Sequence, residues 1–209
     1  MSDNITRAQE IYDILFNTYP NASVELNFNS TYELLVAVIL SAQCTDKRVN
    51  LVTNELFKAA NTPQSMLSLG EDKLKQYIHS CGFYNQKAKS IISASLDILT
   101  KHSGQVPDNF DDLIKLKGVG RKTANVVLSN AFNVPAIAVD THVFRVSRRL
   151  GLSDGKTPDA VENDLNNLFA DGQKSLVHHL LIFHGRYCCH SQKPNCGDCP
   201  LTQYCTFIC

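Results

Sequence analysis

Two residues between positions 115 and 151 have types and surroundings suited to covalent chemistry. Lys122 follows Gly118-Val119-Gly120-Arg121 and falls in the first turn of a predicted helix, and Asp140 stands at the start of the next one. Lysine attacks carbon only as the neutral amine. The positive end of a helix, beside Arg121, is an electrostatically poor place for an ammonium group, so the position favours a functional use over simple stability. A solvated or phosphate-binding lysine is the plainer alternative. Asp140 has the bland role of capping the helix that starts at Thr141, and capping leaves its carboxylate ionised and able to serve twice. A nucleophilic amine and an ionised carboxylate together suit attack on an electron-poor sugar carbon.

The same stretch carries seven basic residues and one acid, in a chain of net charge zero, so the remainder holds an excess of six negative charges. Concentrated positive charge implies an anionic partner. Gly118 and Gly120 let the backbone turn tightly and approach another molecule closely. The helix that follows offers free N–H groups at its positive end, where a phosphate can be held without reading sequence. A plain helix end and turn would use the same residues; the flanking Lys117, Arg121 and Lys122 favour the phosphate.

A second constellation lies at the C-terminus. Six of the eight cysteines fall within the last 22 residues, and Cys189, Cys196, Cys199 and Cys205 are spaced C-x6-C-x2-C-x5-C. Clustering of this kind points to a metal site rather than to a disulfide framework. Four thiolates in one compact loop suit Zn or [4Fe–4S], and spacing does not choose between them. Cys188 beside Cys189 leaves the register open.

The elements that position these residues read as helices throughout. Apolar residues recur at helical spacing almost everywhere, and no convincing strand is present. Helices are expected over 5–17, from 31 through 39, from 46 to about 60 with Asp46 as cap, from 63 after Thr62, and over 71–80, 85–102 and 109–116. Four more follow, over 121–132, 141–150, 157–170 and 173–187. Ser30 and Glu33 have capping-box spacing, and the broad apolar face after them marks a central helix. The first residues have neither a basic region nor an apolar run, and no apolar stretch approaches a membrane span. A cytoplasmic, DNA-associated location is expected.

At this point the residues carry a resemblance. LKGVGRKTANVVL, VDTHVFR and HGRYCC-x6-C-x2-C-x5-C, with SAQCTD at 41–46 and GFYNQKA at 82–88, resemble endonuclease III, the helix–hairpin–helix DNA glycosylase/AP lyase family of base-excision repair. The likeness covers nearly the whole chain, and the combination is specific where no single motif is. It implies an all-α, two-lobed fold with a C-terminal [4Fe–4S] cluster loop. One lobe, 24–134, would be a six-helix barrel domain; 1–23 plus 135–209 would form the iron–sulfur domain. Lys122 takes the position of the family's nucleophile and Asp140 that of its catalytic aspartate. Cys189, Cys196, Cys199 and Cys205 fall on the cluster ligands, which fixes the register and the metal by resemblance. Gln43 matches the residue that fills the gap left by a flipped base, Phe83 stands at the wedge, and Lys193 faces a phosphate. The implied partner is double-stranded DNA with damaged pyrimidines or abasic sites, bound by a monomer.

Three departures stand out against the family. Phe83 replaces a common leucine, Lys117 a common proline, and the loop HSQKPN is less basic than usual. Within the same superfamily, monofunctional glycosylases usually lack a lysine at position 122. A non-catalytic iron–sulfur DNA-binding module would have no need of Lys122 or Asp140. His178, His179 and His184 are expected to be structural. Arg145, Arg148 and Arg149 divide evenly between surface and phosphate contacts, and Cys44 and Cys81 read as small buried hydrophobes.

Overall fold

A computed structural model describes residues 2–207. Among these residues the regular structure is helical throughout, and the chain divides into two compact units, residues 25–132 and residues 1–24 with 133–209.

The first unit is built on α2 (Thr31–Ser41). Nine consecutive residues, Tyr32 to Leu40, are buried, so this helix is covered all round, as a central helix must be. It packs against α3 (Asp46–Ala59), α6 (Tyr84–Lys101) and α8 (Arg121–Ala131). Between them run α4 (Pro63–Leu69), α5 (Glu71–Ile78) and the single turn α7 (Phe110–Leu113). The helix starts follow their caps. Thr62 and Ser65 form a reciprocal capping box with Pro63 at the first helical position, where the missing N–H costs nothing. Ser30 caps α2 through the Glu33 N–H, while the Glu33 carboxylate reaches one residue further back, to the Asn29 N–H at 2.6 Å. Thr45, not Asp46, caps α3. Its hydroxyl accepts from Arg48 N–H at 3.3 Å, and Asp46 instead places its charge in the first turn, where the helix dipole favours it.

The second unit joins the two ends of the chain. It contains α1 (Ser2–Thr18), α9 (Thr141–Arg149), α10 (Pro158–Leu168), α11 (Asp171–Tyr187) and a short 3-10 turn at Thr202–Tyr204. Its core draws Ile11 and Leu15 from α1, Val143 and Val146 from α9, Leu165 from α10, and Leu180 from α11. The α9–α11 crossing is tight: a Cβ on Gly185 would lie 2.9 Å from the His142 Cβ. Arg7 ties α1 to the end of the chain, donating to the Leu150 carbonyl at 2.8 Å and to that of Tyr204.

Candidate functional site

Lys122 is exposed and is the second residue of α8, whose N-cap is Gly120. The hairpin before it is built by two glycines of different kinds. Gly118 has φ of 84°, and a Cβ there would lie 2.6 Å from the Ser90 Cβ in α6. Only glycine satisfies both the backbone and the packing. Gly120 has φ of −97°, and a Cβ there would meet nothing within 4 Å. Arg121 lays its guanidinium over the Phe110 ring, 5.2 Å from the centroid. Lys115 is drawn off to Asp112 at 2.8 Å.

The same unit brings Gln43 and Phe83 together. Gln43 has φ of 53° and Phe83 φ of 58°, both in the left-handed region, which is costly for side chains of this size. The backbones touch: a Cβ on Gly82 would lie 3.3 Å from the Gln43 carbonyl oxygen. Phe83, the residue that caps α6, is 67% exposed. Two strained turns side by side, one with a large aromatic in solvent, form a site that folding alone would not select.

Asp140 belongs to the other unit and is the N-cap of α9. One oxygen accepts from the His142 and Val143 N–H groups, both at 2.8 Å, and the other faces His142 Nδ1 at 3.1 Å. The carboxylate is thus fixed in orientation on both oxygens.

The cysteine loop follows α11 in that unit. Asn195 N–H donates to the Cys188 carbonyl at 2.9 Å and folds the loop back on its start. Short turns then carry the chain from Cys196 to Cys199 to Thr202 to Cys205, so three of the four turn positions carry a sulfur. Arg145 Nε donates to the Cys189 carbonyl at 3.1 Å, and its Nη2 to that of Gly185 at 2.9 Å. Arg149 reaches the Cys189 Sγ at 3.3 Å and the His190 and Ser191 carbonyls at 2.7 and 3.2 Å. These two arginines hold the loop, a role the sequence reading did not assign. Lys193, exposed, has φ of 49°.

Cys188, Cys199 and His184 bring their ligand atoms within 4.8 Å of one another. Cys189, Cys199 and Cys205 are free thiols. Burial, then Cys199 and Cys189, pushes the Cys188 thiol up to about 12, and burial holds His184 near 4, neutral and with Nδ1 facing Tyr19 hydroxyl at 3.2 Å. The donors are soft sulfur and imidazole, and the loop's one carboxylate, Asp198, is engaged by the Asn195 amide at 3.2 Å. That chemistry fits an iron–sulfur cluster and not a hard, oxygen-seeking cation.

Residues 36–171 match the HhH-GPD superfamily of base excision DNA repair proteins. Residues 189–205 match the iron–sulfur binding domain of endonuclease III. The chain is 50% identical over 204 residues to endonuclease III of Haemophilus influenzae, covering 98% of this chain and 97% of that one. The chain belongs to the endonuclease III family. The family member of Rickettsia conorii is 49% identical, covering 95% of this chain and 94% of its own. A non-covalent endonuclease III–DNA complex superposes with a TM-score of 0.93 at 44% identity, covering 97% of this chain and 95% of that one. A trapped endonuclease III–DNA covalent intermediate gives 0.91 at 45%, with 95% of each chain covered. The chain is therefore an enzyme of base-excision repair, a DNA glycosylase/AP lyase by family, with an iron–sulfur cofactor. No helix among the described residues is long and apolar enough to cross a membrane.

Proposed function

We propose that this endonuclease III family member removes oxidised pyrimidines from duplex DNA and cuts the strand 3′ to the resulting abasic site by β-elimination. It works as a monomer on a double helix. The observation that carries the reading is the paired left-handed turns at Gln43 and Phe83. An exposed aromatic on a strained turn is suited to entering a base stack, and a long amide beside it to filling the space an extruded base leaves.

The chemistry follows from the residues. A target base lies too deep in the duplex for attack, so it is flipped out, at least cost where damage has weakened stacking. The phosphate backbone is held by the N–H groups at the start of α8 and by Arg121, and Gly120 leaves room for its approach. Lys193 adds a phosphate contact. The Lys122 amine attacks C1′ of the sugar, the glycosidic electrons leave with the base, and Asp140 offsets the positive charge that develops on the sugar. Ring opening gives a Schiff base on Lys122. Loss of the C2′ proton then expels the 3′ phosphate, and water frees the lysine.

Cys189, Cys196, Cys199 and Cys205 would hold the [4Fe–4S] cluster, in the register that the matched span 189–205 supports. The cluster supplies cross-links that fix the loop. Arg145 and Arg149 fix the same loop from α9.

Borohydride trapping tests the reading. Protein mixed with a duplex carrying one oxidised pyrimidine yields a covalent adduct on a denaturing gel. The adduct disappears in Lys122→Gln and persists in Lys115→Gln, whose lysine is salt-bridged to Asp112. Base release without any adduct, by protein with its cluster intact, would refute the lyase step.

A further inference from the structure

Cys44 and Cys81 lie far apart in sequence, yet each is within two residues of a member of the strained pair. Cys44 follows Gln43, and Cys81 precedes Gly82 and Phe83. The Gly82 backbone packs on the Gln43 carbonyl, so the two turns that carry the cysteines are in contact. The two thiols are near enough to act on one another electrostatically. Cys81 is 1% exposed; Cys44 is half-buried and open to a small reagent. Lys87 is buried, donates to the Leu40 carbonyl at 2.8 Å, and its charge acts on both sulfurs. Arg48 acts on Cys81 from α3. Two thiols beside two cations, one accessible and one sheltered, form a dithiol arrangement rather than two inert core residues.

We propose that Cys44 and Cys81 close a reversible disulfide that ties the Gln43 and Phe83 turns together and turns down engagement of damaged DNA. The effect on DNA rests on the function proposed above. The oxidant is a low-molecular-weight disulfide. The Cys44 thiolate attacks one of its sulfurs, the reagent's S–S bond breaks, and one thiolate leaves and takes up a proton. The Cys81 thiol gives its proton to solvent and attacks the Cys44 Sγ, expelling the second thiolate. Two protein thiols become one disulfide, two electrons pass to the reagent, and the reagent leaves as two thiols. Burial pushes the Cys81 thiol up to about 11 against the pull of Lys87 and Arg48, so the second step is slow and quickens as pH rises. Closure to a bond of about 2.05 Å draws the two turns together. A misplacement on the order of 1 Å near reacting groups is enough to cost up to about a hundredfold in rate.

The test uses the cluster-loaded protein equilibrated across glutathione ratios, with free thiols then alkylated and the peptides mapped. Base release from an oxidised-pyrimidine duplex and affinity for an abasic duplex are measured on the same samples, with cluster absorbance as a control. The expected result is a peptide linked through Cys44 and Cys81. Its rise accompanies a fall in base release of roughly tenfold or more, and dithiothreitol reverses both. Cys44→Ser releases base at the rate of the reduced wild type and does not respond to glutathione. A map showing only mixed disulfides, a linked peptide with unchanged rate and affinity, or an equal fall in Cys44→Ser overturns the proposal. A reduced protein that releases no oxidised pyrimidine refutes the function proposed above instead, and abasic-duplex affinity then decides the disulfide on its own.

Discussion

Alanine at Gly118 and alanine at Gly120 should have opposite consequences, although the two glycines flank a single residue. At Gly118 the added methyl meets a left-handed backbone and the Ser90 Cβ at 2.6 Å. The backbone costs about 1–2 kcal/mol and the overpacking about 1–3 kcal/mol, against about 0.4–1 kcal/mol returned by a stiffer unfolded chain. The net loss is about 2–4 kcal/mol. At Gly120 the backbone is ordinary and the space is open. The stiffening gain there roughly offsets alanine's poorer capping, so stability stays within about 0.5 kcal/mol. A methyl there stands where a phosphate must come close, and a lost charge-assisted hydrogen bond of about 1.5–3 kcal/mol weakens abasic-duplex binding by about 10- to 100-fold. Urea midpoints of cluster-loaded protein give the first quantity and fluorescence anisotropy the second. Ser90→Gly in the Gly118→Ala background removes the steric part of the cost and leaves the backbone part. If Gly120→Ala is as destabilised as Gly118→Ala and binds DNA normally, the assignment of Gly120 to the partner rather than to the fold is wrong.

Three other outcomes are expected. Asp140→Asn keeps the cap, because asparagine caps as well as aspartate, and leaves stability within about 0.5 kcal/mol; single-turnover base release falls by about a hundredfold or more as the charge is lost, and an unchanged rate would remove Asp140 from the chemistry. Arg149→Ala frees the cysteine loop from contacts at His190, Ser191 and the Cys189 sulfur, so cluster absorbance under an iron chelator decays about tenfold faster; equal decay would make the clamp irrelevant to the cluster. His179 is held neutral, its pKa lowered to about 3 by burial and then by His178. Because the folded value lies below the unfolded one, the stabilisation is complete above about pH 6.5 and is lost as pH falls toward 3, reaching about 2 kcal/mol of loss near pH 5. His179→Leu should show a flatter urea-midpoint profile over that range, and an identical slope would refute the assignment.

Where the sequence was legible, local physics was the reason. Thr62-Pro63, Thr157-Pro158 and Asn109 mark helix starts because a cap is a contact between residues three apart. The places of Lys122 and Asp140 at helix starts were readable for the same reason, since their neighbours announce those starts. The Asp46 cap was misjudged by one position because Thr45 and Asp46 both suit the role and only the chain's direction decides. The left-handed turns at Gln43 and Phe83 carry no such mark. Positive φ is announced by glycine or asparagine, and here it is imposed by packing on residues that avoid it. Contacts across long separations were equally silent, among them Arg149 on Ser191, His184 beside Cys199, and Cys44 against Cys81.

The basic stretch from 115 to 151 shows how such silence alters a functional argument. As a sequence it is one block of seven positive charges awaiting an anion. In the structure the block is divided between two units and between two tasks. Arg145 and Arg149 are committed to carbonyls around the cysteine loop, Lys115 to Asp112, and Arg148 lies over the Phe144 ring. What the hairpin offers a phosphate is chiefly backbone N–H groups with Lys117, Arg121 and Lys122 close by. Each phosphate neutralised by a side chain adds about 0.9 to the slope of log affinity against log salt on duplex DNA. Seven such contacts would give a slope near −6; two or three from the hairpin give about −2 to −3. A slope measured on an abasic duplex therefore tests how the charge is divided. A value near −6 would mean that the arginines of α9 leave the cysteine loop to meet DNA, and the account of that loop would have to change with it.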